Sequence, residues 1–214
     1  MTSKTNYHHG DLRRALLSAA EEELSEKGVE AFSLRGVAKR AGVSHGAPAH
    51  HFEDARGLLT ELAAQGYQRF IDAQELRQGS SPKNAEAQLA ASGLGYIDFA
   101  TENPALFRLM FSSERPDKSA AVLAKAADSA FDKLVTDIEH IAQTDPHGDQ
   151  PAMTDVMAAW AIAHGLADLL IGDRLGRISF LAGMSPEQRD GVLSEIILRA
   201  STVKRGGKCH APDS

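Results

Sequence analysis

Apolar residues recur at spacings of three and four along nearly the whole chain, and no stretch alternates with the period of two that marks a strand. The pattern predicts an all-α protein. A first helix is expected over about 11–27, with Leu12, Ala15, Leu16, Ala19 and Leu24 inward, Asp11 capping its start and Gly28 past its end. Ser33 opens a second helix that buries Leu34, Val37, Ala38 and Ala41 and stops at Gly42. Ser44 is expected to cap a third, very short helix ending near Phe52. Asp54 opens a long fourth helix through Leu58, Leu59, Leu62, Phe70 and Ile71, broken at Gly79-Ser80-Ser81-Pro82.

Beyond that break the periodicity predicts helices over about 83–102, 104–112, 117–143 and 152–171. Asn103-Pro104 supplies a cap followed by proline at the first helical position. A stretch punctuated by Gly172, Gly176 and Gly183 leads to a last helix with a capping box, Ser185 with Gln188, and Pro186 at its first position. Val192, Leu193, Ile196 and Ile197 give that helix more apolar surface than one inner face needs. Residues 204–214 read as a frayed tail. The expected division is a head of residues 1–56, a helical domain of residues 57–203 and the tail.

The sharpest local signal runs from Phe32 to Phe52. Two short capped helices joined by Ala41-Gly42-Val43 make a helix-turn-helix. Ala38 is small enough for the helices to cross closely. Gly42 supplies the positive φ of the turn, Val43 fills the space between the helices, and Ser44 caps the second helix. In this motif that helix lies in the major groove and its exposed side chains read base edges.

Charge first argues against nucleic acid, because the 214 residues carry a formal net charge of −6. Its distribution changes that. Residues 1–56 hold eight basic and eight acidic side chains with five of the nine histidines, so the whole excess lies in the remainder. A neutral head binds DNA if its basic groups share one face. The single cysteine, Cys209, allows no intramolecular disulfide and fits a reducing cytoplasm. The polar N-terminus is not a secretory signal. The most apolar stretch, 156–163, reads as too short and too interrupted to cross a membrane.

Ala38-Lys39-Arg40-Ala41-Gly42-Val43-Ser44-His45-Gly46, with Phe52 and the pair Leu58-Leu59 behind it, resembles the TetR family of regulators. Similarity is strong over about 7–67. It continues more weakly through Asn103-Pro104-Ala105-Leu106-Phe107-Arg108-Leu109-Met110-Phe111 and at Trp160, His164 and Gly165, which resemble a branch whose C-terminal domain carries a Trp, a His and a Gly in its penultimate helix. The resemblance implies a three-helix DNA-binding head joined by a long helix to a C-terminal bundle. That bundle would sense a ligand and pair with a second copy through its last two long helices. It further implies a palindromic double-stranded operator, a small and largely apolar effector, repression relieved by that effector, and no enzymatic activity or cofactor. The chain departs from the pattern at Pro48, Ala49 and Ala55, where the family usually has Leu, an aromatic and Lys.

On this reading the DNA contacts are Ser33, Arg35, Ser44, His45, Gly46, Ala47, Ala49, His50, His51 and Arg56. A metal site on these histidines is not expected, since His50 and His51 point about 100° apart on a helix and no cysteine or well-spaced carboxylate completes a shell. The acidic run Glu21-Glu22-Glu23 with Glu26 and Glu30 is read as a solvated face. Phe99, Phe107, Met110, Phe111 and Phe131 form an apolar set, mostly core, from which one or two line a pocket. Trp160, His164 and Asp168 share a helix face. A His–Asp pair beneath a tryptophan either orients a polar ligand group or is a packed core histidine; the spacing supplies no nucleophile. A helical enzyme built on His164 and Asp168, or a helical interaction protein that binds no DNA, are the rival classes.

Overall fold

The computed structural model describes residues 9–178 and 183–199. The helices are α1 (His9–Lys27), α2 (Leu34–Ala41), α3 (Ala47–Phe52), α4 (Ala55–Gly79), α5 (Ala85–Glu102), α6 (Pro104–Phe111), α7 (Ala121–Ala142), α8 (Gln150–Ile171) and α9 (Pro186–Arg199), with a 3-10 turn at Leu175–Arg177. Among the described residues there is no strand. The expected α class therefore holds, and every predicted helix is present. Helix ends shift by a few residues, where periodicity is least informative: α1 begins at His9, so Asp11 lies inside it and is not its cap, and α7 begins at Ala121. The expected tail and Cys209 lie outside the described residues.

The chain divides into two compact units. The first runs to Asp72 and adds Phe99–Phe131; the second takes Ala73–Asp98 and the chain from Asp132.

In the first unit α1 packs on α2 and α6, and α2 on α3. Leu16, Leu24, Val37, Leu58, Leu59 and Leu62 are sealed from solvent, each worth roughly 1.5–3 kcal/mol of burial. Gly28 ends α1 at φ 74°, with its N–H on the Leu24 carbonyl at 2.8 Å. The acidic face of α1 is not simply solvated, which corrects the sequence reading. Glu23 is buried, with only 5% exposed, and accepts from Nε of Arg40 at 2.7 Å. Glu26 accepts from the same guanidinium, and Glu21 accepts from Arg69 at 2.7 Å. These pairs tie α1 to α2 and α4. Arg69 also donates to Oδ1 of Asn103 at 2.5 Å, while Nδ2 of Asn103 donates to the Phe99 carbonyl at 3.0 Å. Asn103 thus precedes α6 without capping it by its side chain.

In the second unit Leu94, Ile97, Leu166, Leu193 and Ile197 form one core cluster across α5, α8 and α9. Arg77 on α4 holds Asp98 on α5, at 2.5 and 3.0 Å, and Asp190 on α9, at 2.7 Å. The predicted capping box of α9 is formed: Ser185 N–H donates to Gln188 at 2.8 Å and Gln188 N–H donates back to Ser185 Oγ at 3.3 Å. The apolar segment of α8 is longer than expected. By length and composition this 22-residue helix is apolar enough to cross a membrane. Its Met157 is 64% and Trp160 42% exposed within one chain.

Candidate nucleic-acid interface

The helix-turn-helix forms where the sequence places it. Ser33 is extended (φ −144°, ψ 142°) and its Oγ accepts from Gly36 N–H at 3.1 Å, satisfying one orphan donor of α2. At the other end Gly42 is left-handed (φ 67°), its N–H returning to the last carbonyls of α2, and Val43 N–H reaches the Ala38 carbonyl at 3.0 Å. This closure turns the chain sharply into α3.

One expectation fails here. Ser44 does not cap α3: the helix starts at Ala47, the residue in the cap position is Gly46, and no side chain caps it. Ser44 instead lies one turn earlier, its carbonyl accepting from Ala47 N–H at 3.0 Å. The reason is Pro48. It has no N–H to give to the Ser44 carbonyl, so the helix opens only where proline occupies its first turn. Pro48 is fully buried with Phe52, so it contributes to the head's core rather than to its outer face.

Burial separates the other predicted contacts. Ser33, Arg35, Ser44, His45, Gly46, Ala49, His50 and Arg56 are exposed, while Ala47 and His51 are half-buried. The His51 ring centre lies 6.3 Å from that of Phe52. Between Ala31 and Phe52 the sequence has no acidic residue. That interval carries Arg35, Lys39, Arg40 and three histidines, and Arg40 is engaged by carboxylates. The head's acids at Glu21, Glu23 and Glu26 are matched to Arg69 and Arg40. Arg13 is spent on Glu61 at 2.8 Å and on the face of Phe52, 5.0 Å from its centre. Arg56 faces Asp117 at 3.6 Å.

The predicted ligand residues are divided between the two units. Phe99, Phe107, Met110, Phe111 and Phe131 belong to the first unit and Trp160, His164 and Asp168 to the second. In the first, Phe70 stands edge-on to Phe99 and Phe111 at 5.5 and 5.8 Å, Phe107 lies 4.9 Å from Phe111, and Tyr67 donates its hydroxyl to the Met110 carbonyl at 3.4 Å. In the second, His164 is joined through Nδ1 to the Tyr96 hydroxyl at 2.7 Å. Asp168 is ion-paired to Arg174 at 2.8 Å. Burial holds the His164 imidazole pKa below its usual value, partly offset by the Asp168 charge. Tyr96, Tyr67, Arg115 and Asp117 were not singled out by sequence, because nothing in their spacing ties them to residues tens of positions away.

Residues 16–62 match the family described as bacterial regulatory proteins, tetR family. Residues 89–185 match a family described as tetracyclin repressor-like, C-terminal domain. The HTH-type transcriptional regulator BetI of Escherichia coli is 34% identical over 87 residues, 40% of this chain and 45% of that protein. The HTH-type transcriptional regulator YobS of Bacillus subtilis is 24% identical over 98 residues, 46% and 50% of the two chains. The aligned region thus spans about half the length of these curated relatives. A solved structure of a protein with unknown function from Rhodococcus sp. RHA1 is 31% identical, with a TM-score of 0.72 over 92% of this chain and 95% of that one. A TetR family transcription regulator from Marinobacter aquaeolei, 20% identical, shares the fold at a TM-score of 0.62 over 88% and 94%.

Proposed function

The chain belongs to the TetR family of bacterial regulatory proteins, and from that premise we propose that it is a DNA-binding transcriptional repressor. The observation that carries the reading is the acid-free segment from Ala31 to Phe52, which sets exposed Arg35, Lys39, Ser44, His45 and His50 around the left-handed turn at Gly42. Arg35 and Ser33 hold phosphates, and His45, Ala49 and His50 with the Gly46 and Ala47 backbone face the bases. Ser44, His51 and Arg56 complete the contact set. Residues 1–56 act as the DNA-binding part and residues 57–203 as the sensing and dimerisation part.

The working form is a homodimer joined through α8 and α9. The exposed Met157 and Trp160 on an otherwise apolar α8 support this, since a large uncovered apolar face marks an interaction surface. A two-fold dimer reads a palindrome. The effector is small and largely apolar, held among side chains such as Phe107, Met110 and Phe111. It releases the operator by binding the non-DNA conformation better, since equal affinity for both would shift nothing. The protein works in the cytoplasm without enzymatic activity. His164 is hydrogen-bonded to Tyr96 and Asp168 is ion-paired to Arg174, which supports a structural role for both side chains.

Selection of binding sites from random duplex DNA by the purified chain tests this reading. Enrichment of a palindrome, with half-sites spaced to suit two recognition helices, is expected. Enrichment of nothing sinks it in favour of a helical interaction protein.

A further inference from the structure

The segment 112–120 between α6 and α7 is anchored on the helices of the head. Arg115 donates to the Val29 carbonyl, in the turn after α1, and its guanidinium lies 6.0 Å from the centre of the Phe32 ring. Pro116 beside it is buried. Asp117 N–H donates to Oγ1 of Thr60 on α4 at 2.8 Å, and that hydroxyl donates to the Arg56 carbonyl at 2.7 Å. The Asp117 carboxylate is held in place by Ser119, whose N–H and hydroxyl reach Oδ1 at 3.0 and 2.6 Å. Fixed in this way, it stands 3.6 Å from the Arg56 guanidinium.

We propose that Asp117 is a latch on Arg56: its carboxylate competes with a DNA phosphate for the guanidinium, so that the 112–120 segment sets how firmly the protein grips the DNA backbone. The inference rests on the reading of Arg56 as a DNA contact and assigns that contact to a phosphate. The asymmetry of the pair supports it. Asp117 is fixed by contacts that do not involve the Arg56 side chain, whereas Arg56 is a long side chain, 60% exposed, with no closer ion pair among the described residues. At this distance and exposure the pair is weak. A phosphate offers the guanidinium two short charge-assisted bonds instead. The segment continues directly from α6, so any displacement of α6 that moves it changes the separation of Asp117 from Arg56. Hydrogen bonding from Ser119 holds the Asp117 pKa below the usual carboxylate value, which keeps the latch charged at neutral pH. The nearby Glu114 is paired with Lys118 at 2.6 Å and adds no net charge.

The test is equilibrium binding of the full chain to a duplex selected by the wild type, across a salt series, for Asp117→Asn, Arg56→Ala and the double variant. Asparagine keeps the oxygen that Ser119 holds, so the segment stays folded. Asp117→Asn is expected to tighten binding about two- to fivefold and to steepen the salt dependence by up to about 0.9 in log–log slope. In the Arg56→Ala background the same change should alter binding by less than about 1.5-fold. An equal gain in both backgrounds would show a long-range charge effect only and overturn the latch, as would wild-type affinity for Asp117→Asn. Unchanged affinity and slope for Arg56→Ala alone would instead remove Arg56 from the DNA contacts, and the latch with it.

Discussion

The Glu23 carboxylate accepts from Nε of Arg40 at 2.7 Å and lies under Gly36, where a Cβ would overlap it. An acid on α1 therefore fixes the residue type on α2. Gly36→Ala is expected to destabilise the protein by about 1–3 kcal/mol, since overpacking forces a pinned side chain to move. Chemical denaturation of the two proteins measures it. Equal stability would mean that Glu23 swings away freely and does not hold α1 to α2.

The second prediction concerns pH. Burial lowers the His164 pKa from its ordinary value of 6.5. A base depressed in the folded state takes up protons more readily when unfolded, so its contribution to stability is present above about 6.5 and is lost as pH falls below it. The melting temperature should drop between pH 7.5 and 5.5, and the drop should shrink in His164→Gln. An imidazole titrating in the folded protein at or above its ordinary value would contradict the assignment.

These two cases mark what the sequence made legible. Periodicity located all nine helices of the described residues, and Ser33, Gly42 and the Ser185–Gln188 box were readable because capping is a local matter of a few residues. Glu23 looked like one of a row of surface acids, because its partner Arg40 lies 17 residues away. Helix spacing pairs His164 with Asp168, yet its Nδ1 is hydrogen-bonded with the Tyr96 hydroxyl, 68 positions away. Ser44 is not the cap for a local reason: Pro48 has no N–H for its carbonyl, so α3 begins at Ala47. The exposed Arg35, Ser44, His45 and His50 followed from the motif, whereas the Arg56–Asp117 approach needed the fold.

The third prediction separates positioning from reading on the DNA. Arg35→Ala should weaken binding to all sequences and lower the salt slope by about 0.9, as loss of one phosphate contact does. His45→Ala should weaken binding to the selected site by about 1–3 kcal/mol and change little on unrelated DNA. Fluorescence anisotropy with selected and scrambled duplexes measures both. Identical losses on the two duplexes for His45→Ala would remove it from base reading.

The fourth concerns assembly. Met157 is 64% exposed in a single chain, so Met157→Lys should leave the fold intact while placing a charge in the proposed dimer contact. Sedimentation velocity is expected to show a shift from dimer to monomer, with an unchanged far-ultraviolet circular dichroism spectrum. A variant that stays dimeric would move the interface off this face of α8.

Whether the face around Gly42 binds a defined DNA sequence is decided by a salt series of equilibrium binding to a selected palindromic duplex and to a scrambled duplex of the same length. Affinity for the palindrome is expected to lie at least about a thousandfold above that for the scrambled duplex, with both falling steeply as salt rises. Equal affinities for the two duplexes, or binding insensitive to salt, would contradict it.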